Sequence, residues 1–207
     1  MNLPDEIKTI EDFKESIFKE KKSAFIAHVY SVKSKIETEE HLANAKKKYY
    51  DASHHCFAYK LTDGTTRYSD AGEPSGTAGI RILNAIEHFN LLNQLVIVIR
   101  YFGGIKLGVG ALGKAYYTAA NKVLNESEIN TKILYKKIFI ESDVDQISNI
   151  HRTLSNHGSI ILNSDYQSKV RLDCLVKSCE SESILEKLKE LSRNRIKIED
   201  GKELVYK

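Results

Sequence analysis

The chain has 207 residues, room for one large domain or two small ones. At 42% hydrophobic and 29% charged, with only two prolines, it is neither disordered nor fibrous in composition. A net charge of +3 permits a nucleic-acid partner without arguing for one, and no apolar run approaches the roughly 18 residues a membrane span needs.

In chain order, residues 5–22 are charged and place Ile7, Ile10, Phe13 and Ile17 near helical spacing, which fits a short helix or an edge strand. Residues 23–32 (SAFIAHVYSV) alternate polar and apolar and read as a strand. Residues 38–50 read as a helix, with Thr38 as its cap, acids in the first turn and Lys46-Lys47-Lys48 in the last. Residues 56–61 form a second strand, turned at Thr62-Asp63-Gly64-Thr65 into a short partner over 66–69. A helix over 77–89 presents Ile82, Leu83, Ile86 and Phe89 on one face, 95–100 (LVIVIR) is a buried strand, and a helix over 110–125 follows.

The polar stretch 126–130 is the best domain boundary, giving domains 1–130 and 131–207. Beyond it come a strand over 132–141, a helix over 144–156 stopped by Gly158, strands over 159–166 and 169–176, a helix over 182–191 and a last strand or strand pair over 195–206. That order, βαββαβ, is the ferredoxin-like split βαβ. The first domain mixes strands and helices without strict alternation, so the whole is α+β. The polar N-terminus (MNLPDEIKTIEDF) does not read as a secretory leader, and three cysteines fit reduced thiols. The expected location is the cytoplasm, with no membrane partner.

Eight of the eleven glycines lie between Gly72 and Gly113, five of them from Gly103 onward. Glycine clustered this way marks backbone that takes positive φ or lets something approach closely. Gly103, Gly104, Gly108, Gly110 and Gly113 precede or open a helix, so free N–H groups with Lys106 and Lys114 suit a phosphate or nucleic-acid backbone. The plain alternative is close helix–strand packing. Gly108-x-x-x-x-Gly113-Lys114-Ala115 nearly spells a P-loop, but Ala115 lacks the hydroxyl that holds Mg²⁺.

The loop SDAGEPSGTAG (69–79) offers Asp70 and Glu73 as metal ligands, as a base, or as partners of Arg67 or Arg100. Pairing with Arg100, fixing one glycine loop against the other, is the favoured reading. Ser75 or Thr77 is the expected helix cap. On an extended strand His54 and Cys56 share a face, opposite His55. They form a base–nucleophile pair, a partial metal site, or inert core. Cys174 and Cys179 lack zinc spacing, and no metal or cofactor is expected. Lys46-Lys47-Lys48-Tyr49-Tyr50, and the group Lys187, Lys189, Arg193, Arg195 and Lys197, suit RNA or are ordinary solvated faces.

Together, Ser69-Asp70-x-Gly72-Glu73-Pro74-Ser75-Gly76-Thr77-Ala78-Gly79, Arg100-Tyr101-Phe102-Gly103-Gly104-Ile105-Lys106-Leu107-Gly108, Ala115-Tyr116 and His54-His55-Cys56-x-Ala58-Tyr59 resemble the YigZ/IMPACT family over nearly the whole chain. The family pattern has glycine at 111, arginine at 114 and proline at 81, where this chain has Ala111, Lys114 and Arg81. The resemblance implies a first domain that is a two-layer sandwich, of the type shared by a small-subunit ribosomal protein and a domain of elongation factor G. It also implies a second domain like the ferredoxin-like domain near the end of that factor. The family's eukaryotic members regulate translation. The implied function is a non-enzymatic, translation-associated factor that binds RNA, the ribosome or a ribosome-associated protein. The alternatives are an enzyme acting on a phosphorylated small molecule, with Asp70 or Glu73 as base, and a pure protein-binding module.

Overall fold

The computed structural model describes residues 3–207, so Met1 and Asn2, counted with the expected first domain, lie outside the described residues. The elements in order are β1 (Glu6–Thr9), β2 (Lys14–Glu20), β3 (Ser23–Ser31), α1 (Lys35–Lys48), β4 (His54–Lys60), β5 (Thr66–Ser69), α2 (Gly79–His88), β6 (Gln94–Tyr101) and α3 (Val109–Asn125). The second half adds β7 (Asn130–Ser142), α4 (Ile147–Asn156), β8 (Ile160–Tyr166), β9 (Val170–Lys177), α5 (Ser181–Leu191) and β10 (Lys197–Tyr206). The fold is the α+β arrangement expected. Two compact units emerge, Lys8–Thr131 and Lys132–Lys207, and the second also takes Leu3–Ile7. Among the described residues no helix is long and apolar enough to cross a membrane.

In the first unit an antiparallel sheet runs β2-β3-β6-β4-β5. Central β6 is buried along almost its whole length because both faces are covered. Val96 and Val98 join Phe25, Ala27, Val29, Cys56 and Ala58 in a core closed by α2 and α3. Leu95, Ile97 and Ile99 face the other way, into a smaller core with Tyr59 and the α1 residue Ala45. This double cover explains why LVIVI is a continuous apolar run instead of an alternating one.

Of the two readings of residues 5–22, the edge strand holds: they form β1 and the edge strand β2, with Ile17 exposed on β2 and Phe13 exposed just before it. One local expectation needs correction. Helix α1 starts earlier than expected, and its cap is Ser34, whose hydroxyl accepts from the Glu37 N–H at 3.2 Å while Glu37 accepts from the Lys33 N–H at 2.8 Å. Thr38 lies inside the helix, buried, its hydroxyl donating to Ser34 O. The Ser-x-x-Glu pair outcompetes Thr38 because it satisfies backbone donors in both directions.

In the second unit β7 is flanked by β10 on one edge and by β9, then β8, on the other, all antiparallel, giving the ferredoxin-like order. Ile138, Ile140, Leu172, Cys174 and Val176 meet Ile150 and Leu154 of α4 and Ile184 and Leu188 of α5. Gly158 ends α4 at φ +61°, with its N–H donating to Ser155 O and the Ser159 N–H to Leu154 O, a Schellman pair. Strand β1 also pairs with β7.

Candidate functional site

The site grows from one face of the first sheet. Register sets His54 opposite Arg100 and Cys56 opposite Val98, so His54, Cys56 and Arg100 all point toward α2 and α3. His55 points the other way, its Nε2 3.0 Å from Tyr49 O. Arg100 is 5% exposed and its Nη1 donates to Glu73 Oε1 at 2.6 Å. The Tyr116 hydroxyl, from α3, donates to the same oxygen at 2.7 Å. His54 Nε2 lies 3.8 Å from Glu73 Oε2. Glu73 thus pins the 69–79 loop to the sheet and to α3 at once. The Arg100 guanidinium also lies 5.4 Å from the ring centroids of Phe25 and Phe102, while its Nε–H is buried without a hydrogen-bond partner.

Asp70 is spent on a different task. Its carboxylate accepts from the N–H groups of Gly76, Ala78 and Gly79 at 2.8 to 2.9 Å, satisfying the start of α2 from eight and nine residues upstream. Burial alone would raise its pKa, but the N–H donors of Gly76, Gly79 and Ala78 outweigh it and hold the carboxyl below its ordinary value. Ser75 and Thr77 do not cap the helix: Ser75 is exposed and the Thr77 hydroxyl donates to Pro74 O at 2.6 Å.

Cys56 donates its thiol hydrogen to Asp70 O at 3.0 Å, and burial pushes its pKa up to about 12. It is therefore a neutral core thiol, not a nucleophile. Burial drives the Tyr116 phenol far upward as well, keeping it a donor. His54 is held by Nδ1, 3.0 Å from Ala71 O. A carbonyl only accepts, so Nδ1 carries the proton and Nε2 faces Glu73.

The glycines divide by physical cause. A Cβ on Gly103 would come within 2.1 Å of the Lys22 carbonyl, so this position demands glycine for close approach. Gly104 and Gly108 need it for φ of +83° and +80°, and they, like Gly110, have open space around them. Gly113 lies inside α3 facing the Arg81 side chain. Because α3 begins at Val109, Gly113 and Lys114 are a turn into the helix and cannot cradle a phosphate as a P-loop does.

Lys106 and Lys114, expected to act together, line different hollows. Lys106 borders a cavity of about 480 Å³ with Ser53, His54, Glu73, Arg100 and Phe102, floored by Leu107 and Leu112 and reaching Gly108 and Val109 at the start of α3. Lys114 borders a separate groove of about 380 Å³ with Arg81, Asn84 and Tyr117. Phe102, Leu107 and Tyr116 stand in the family motifs but are given no site role by the sequence, and Leu112 is not named in them at all. The signal for Tyr116 was a lone hydroxyl-bearing side chain on an otherwise apolar α3 face.

The basic runs are less open than their sequence suggests. Lys48 reaches Glu15 and lies over the Tyr49 ring, Arg195 pairs with Asp145 at 3.1 Å and Lys197 with Glu199 at 2.6 Å. Among the described residues no group of three His, Cys, Asp or Glu side chains is placed to hold a metal ion.

The Impact N-terminal domain family model matches residues 21–124, the span that carries every residue of the Glu73 cluster. The IMPACT family member YvyE of Bacillus subtilis is 32% identical over 89% of this chain and 86% of its own length. The IMPACT family member YigZ of Escherichia coli is 29% identical over 86% and 89% respectively. Protein IMPACT of Mus musculus is 32% identical over 54% of this chain, which is 37% of the mouse protein. A crystal structure of a hypothetical protein matches with a TM-score of 0.67 at 26% identity, covering 97% of this chain and 100% of that one.

Proposed function

The chain belongs to the IMPACT family, and from that premise we propose that it is a cytoplasmic, translation-associated regulatory factor that binds RNA, the ribosome or a ribosome-associated protein through the glycine-rich loop leading into α3. Its resemblance to the eukaryotic regulators supports the general class. The observation that carries the binding role is the start of α3. No side chain caps it, its first turn holds no acid, and Gly104, Gly108 and Gly110 leave backbone uncovered there. Free N–H groups at the positive end of a helix dipole favour an anion, and Lys106 stands beside them without an ion pair among the described residues.

The test is RNA binding by the purified protein at two salt concentrations, with Lys106→Ala and Lys114→Ala made separately because they line different hollows. Binding is expected to weaken with salt and with Lys106→Ala. No binding at low salt overturns the RNA reading and leaves a protein partner, whose capture survives high salt.

A second reading, an enzyme acting on a phosphorylated small molecule, is favoured by the cavity that joins the two glycine loops. Its base would not be Asp70 or Glu73, since both are committed to other donors, but His54, whose tautomer leaves Nε2 as acceptor. Turnover of a phosphorylated compound that His54→Ala abolishes would decide for it.

A further inference from the structure

Resting on the anion-binding reading of the loop, the geometry points to something narrower than a backbone-tracking surface: the cavity is a pocket for one nucleotide unit, phosphate on the start of α3 and base against Phe102. Two features meet in the same hollow. One is the uncapped α3 start with Lys106. The other is the half-exposed Phe102 ring, set in the same lining beside the Arg100 guanidinium, whose own Nη1 and Nη2 are taken by Glu73 and Ser23.

Charge sets what fits. Among the lining residues the Arg100 cation is offset by Glu73, leaving Lys106 as the uncompensated charge when His54 is neutral. One net positive charge matches the single negative charge of a phosphodiester, or most of a phosphomonoester, and not a polyphosphate. The remainder of the cavity is apolar: Pro74, Leu107, Val109 and Leu112 line it. Phe102 is 47% exposed, with the Arg100 guanidinium 5.4 Å from its ring centroid. An aromatic ring held in place by a cation is a stacking platform for a base, whichever base it is. Ser53 and His54 Nε2 supply polar groups for a base edge or sugar. A volume of about 480 Å³ admits one such unit, not a run of them. The shared chemistry is a nucleotide, which reaches the pocket either free or as the end of an RNA strand.

The experiment measures binding of AMP, UMP and a short single-stranded RNA by the whole protein, alone and in competition, for wild type, Phe102→Ala, Lys106→Ala and Lys114→Ala. Because Phe102 is half exposed, circular dichroism is expected to show an unchanged fold. Phe102→Ala should weaken both ligands at least about fivefold, the low end for losing one base–aromatic stack, and Lys114→Ala should leave both unchanged. The mononucleotide should displace the RNA, and log affinity should fall against log salt with a slope of about −0.7, one strand phosphate. RNA binding that is steep in salt, indifferent to Phe102→Ala and not displaced by nucleotide overturns the pocket while leaving the RNA reading standing. Nucleotide binding without RNA binding supports the pocket and removes the RNA reading. Binding of neither overturns the pocket.

Discussion

Glu73 collects the Arg100 guanidinium and the Tyr116 hydroxyl on one oxygen in a site where its side chain is 4% exposed. Deleting one member of such a pair strands a buried charge, so Arg100→Ala should cost about 3–5 kcal/mol in urea unfolding. The double variant Glu73→Gln/Arg100→Met, which removes both charges and keeps an acceptor for Tyr116, should cost clearly less than Arg100→Ala alone. If the double is as damaging as the single, the pair is not what holds the loop. Asp70 gives a prediction with a pH signature. Its folded pKa is depressed, so its contribution is present above the unfolded value near 3.9 and is lost as pH falls through the folded one. Asp70→Ala should cost about 1–2 kcal/mol at pH 7, as loss of a helix cap does. That gap should close in unfolding curves taken progressively below about pH 4. The pairing of a loop acid with Arg100 was legible in the sequence, because an acid loop and a strand-terminal arginine flank the same glycine clusters. Which acid it was could not be read, since Asp70 caps α2 across eight and nine residues, beyond the reach of any local cap pattern.

At the scale of elements, the glycine loop makes three positions behave differently under one substitution. Gly103→Ala forces a Cβ into the Lys22 backbone and should be the most damaging of the three. Gly108→Ala meets open space but sits at φ +80°, and should cost about 1–2 kcal/mol, the left-handed penalty for an L-residue. Gly110→Ala meets open space in the first turn of α3 at no positive φ, and should be neutral or stabilise by up to about 1 kcal/mol through helix propensity. Thermal unfolding of the three variants checks the order, and equal losses would mean the loop packs as a unit. The long elements were readable because their cause is local: LVIVI for a strand covered on both faces, Gly158 for the end of α4. The 5–22 stretch was legible only as a choice between a helix and an edge strand. Its near-helical apolar spacing is an accident, because β1 and β2 pair in different sheets and Phe13 and Ile17 lie exposed at an edge.

For the whole molecule, the chain passes between its two units, among the described residues, not once, as a boundary at 130 implies, but twice, between Ile7 and Lys8 as well as between Thr131 and Lys132. The second half reads as a complete βαββαβ module because each element carries its own period, and a pattern complete in itself gives no sign that a distant segment is recruited. Only hydrogen bonding reveals it: the Leu134 N–H donates to Asp5 O at 2.7 Å, while the Leu92 N–H donates to Lys8 O at 2.9 Å. Strand β1 therefore hands its first residues to one unit and its last to the other. Removing residues 3–7 should leave the first unit's core intact, because Ile10 and everything it packs against are retained, but should uncover one edge of β7. Amide hydrogen exchange reads this directly. Leu134 should lose its protection by an order of magnitude or more, since an amide without a bonded acceptor exchanges through small openings, whereas Ile97 and Val98 at the centre of the first sheet should keep theirs. Unchanged protection at Leu134 would mean that the second unit closes on itself without β1, and the module read from its sequence would then be complete after all.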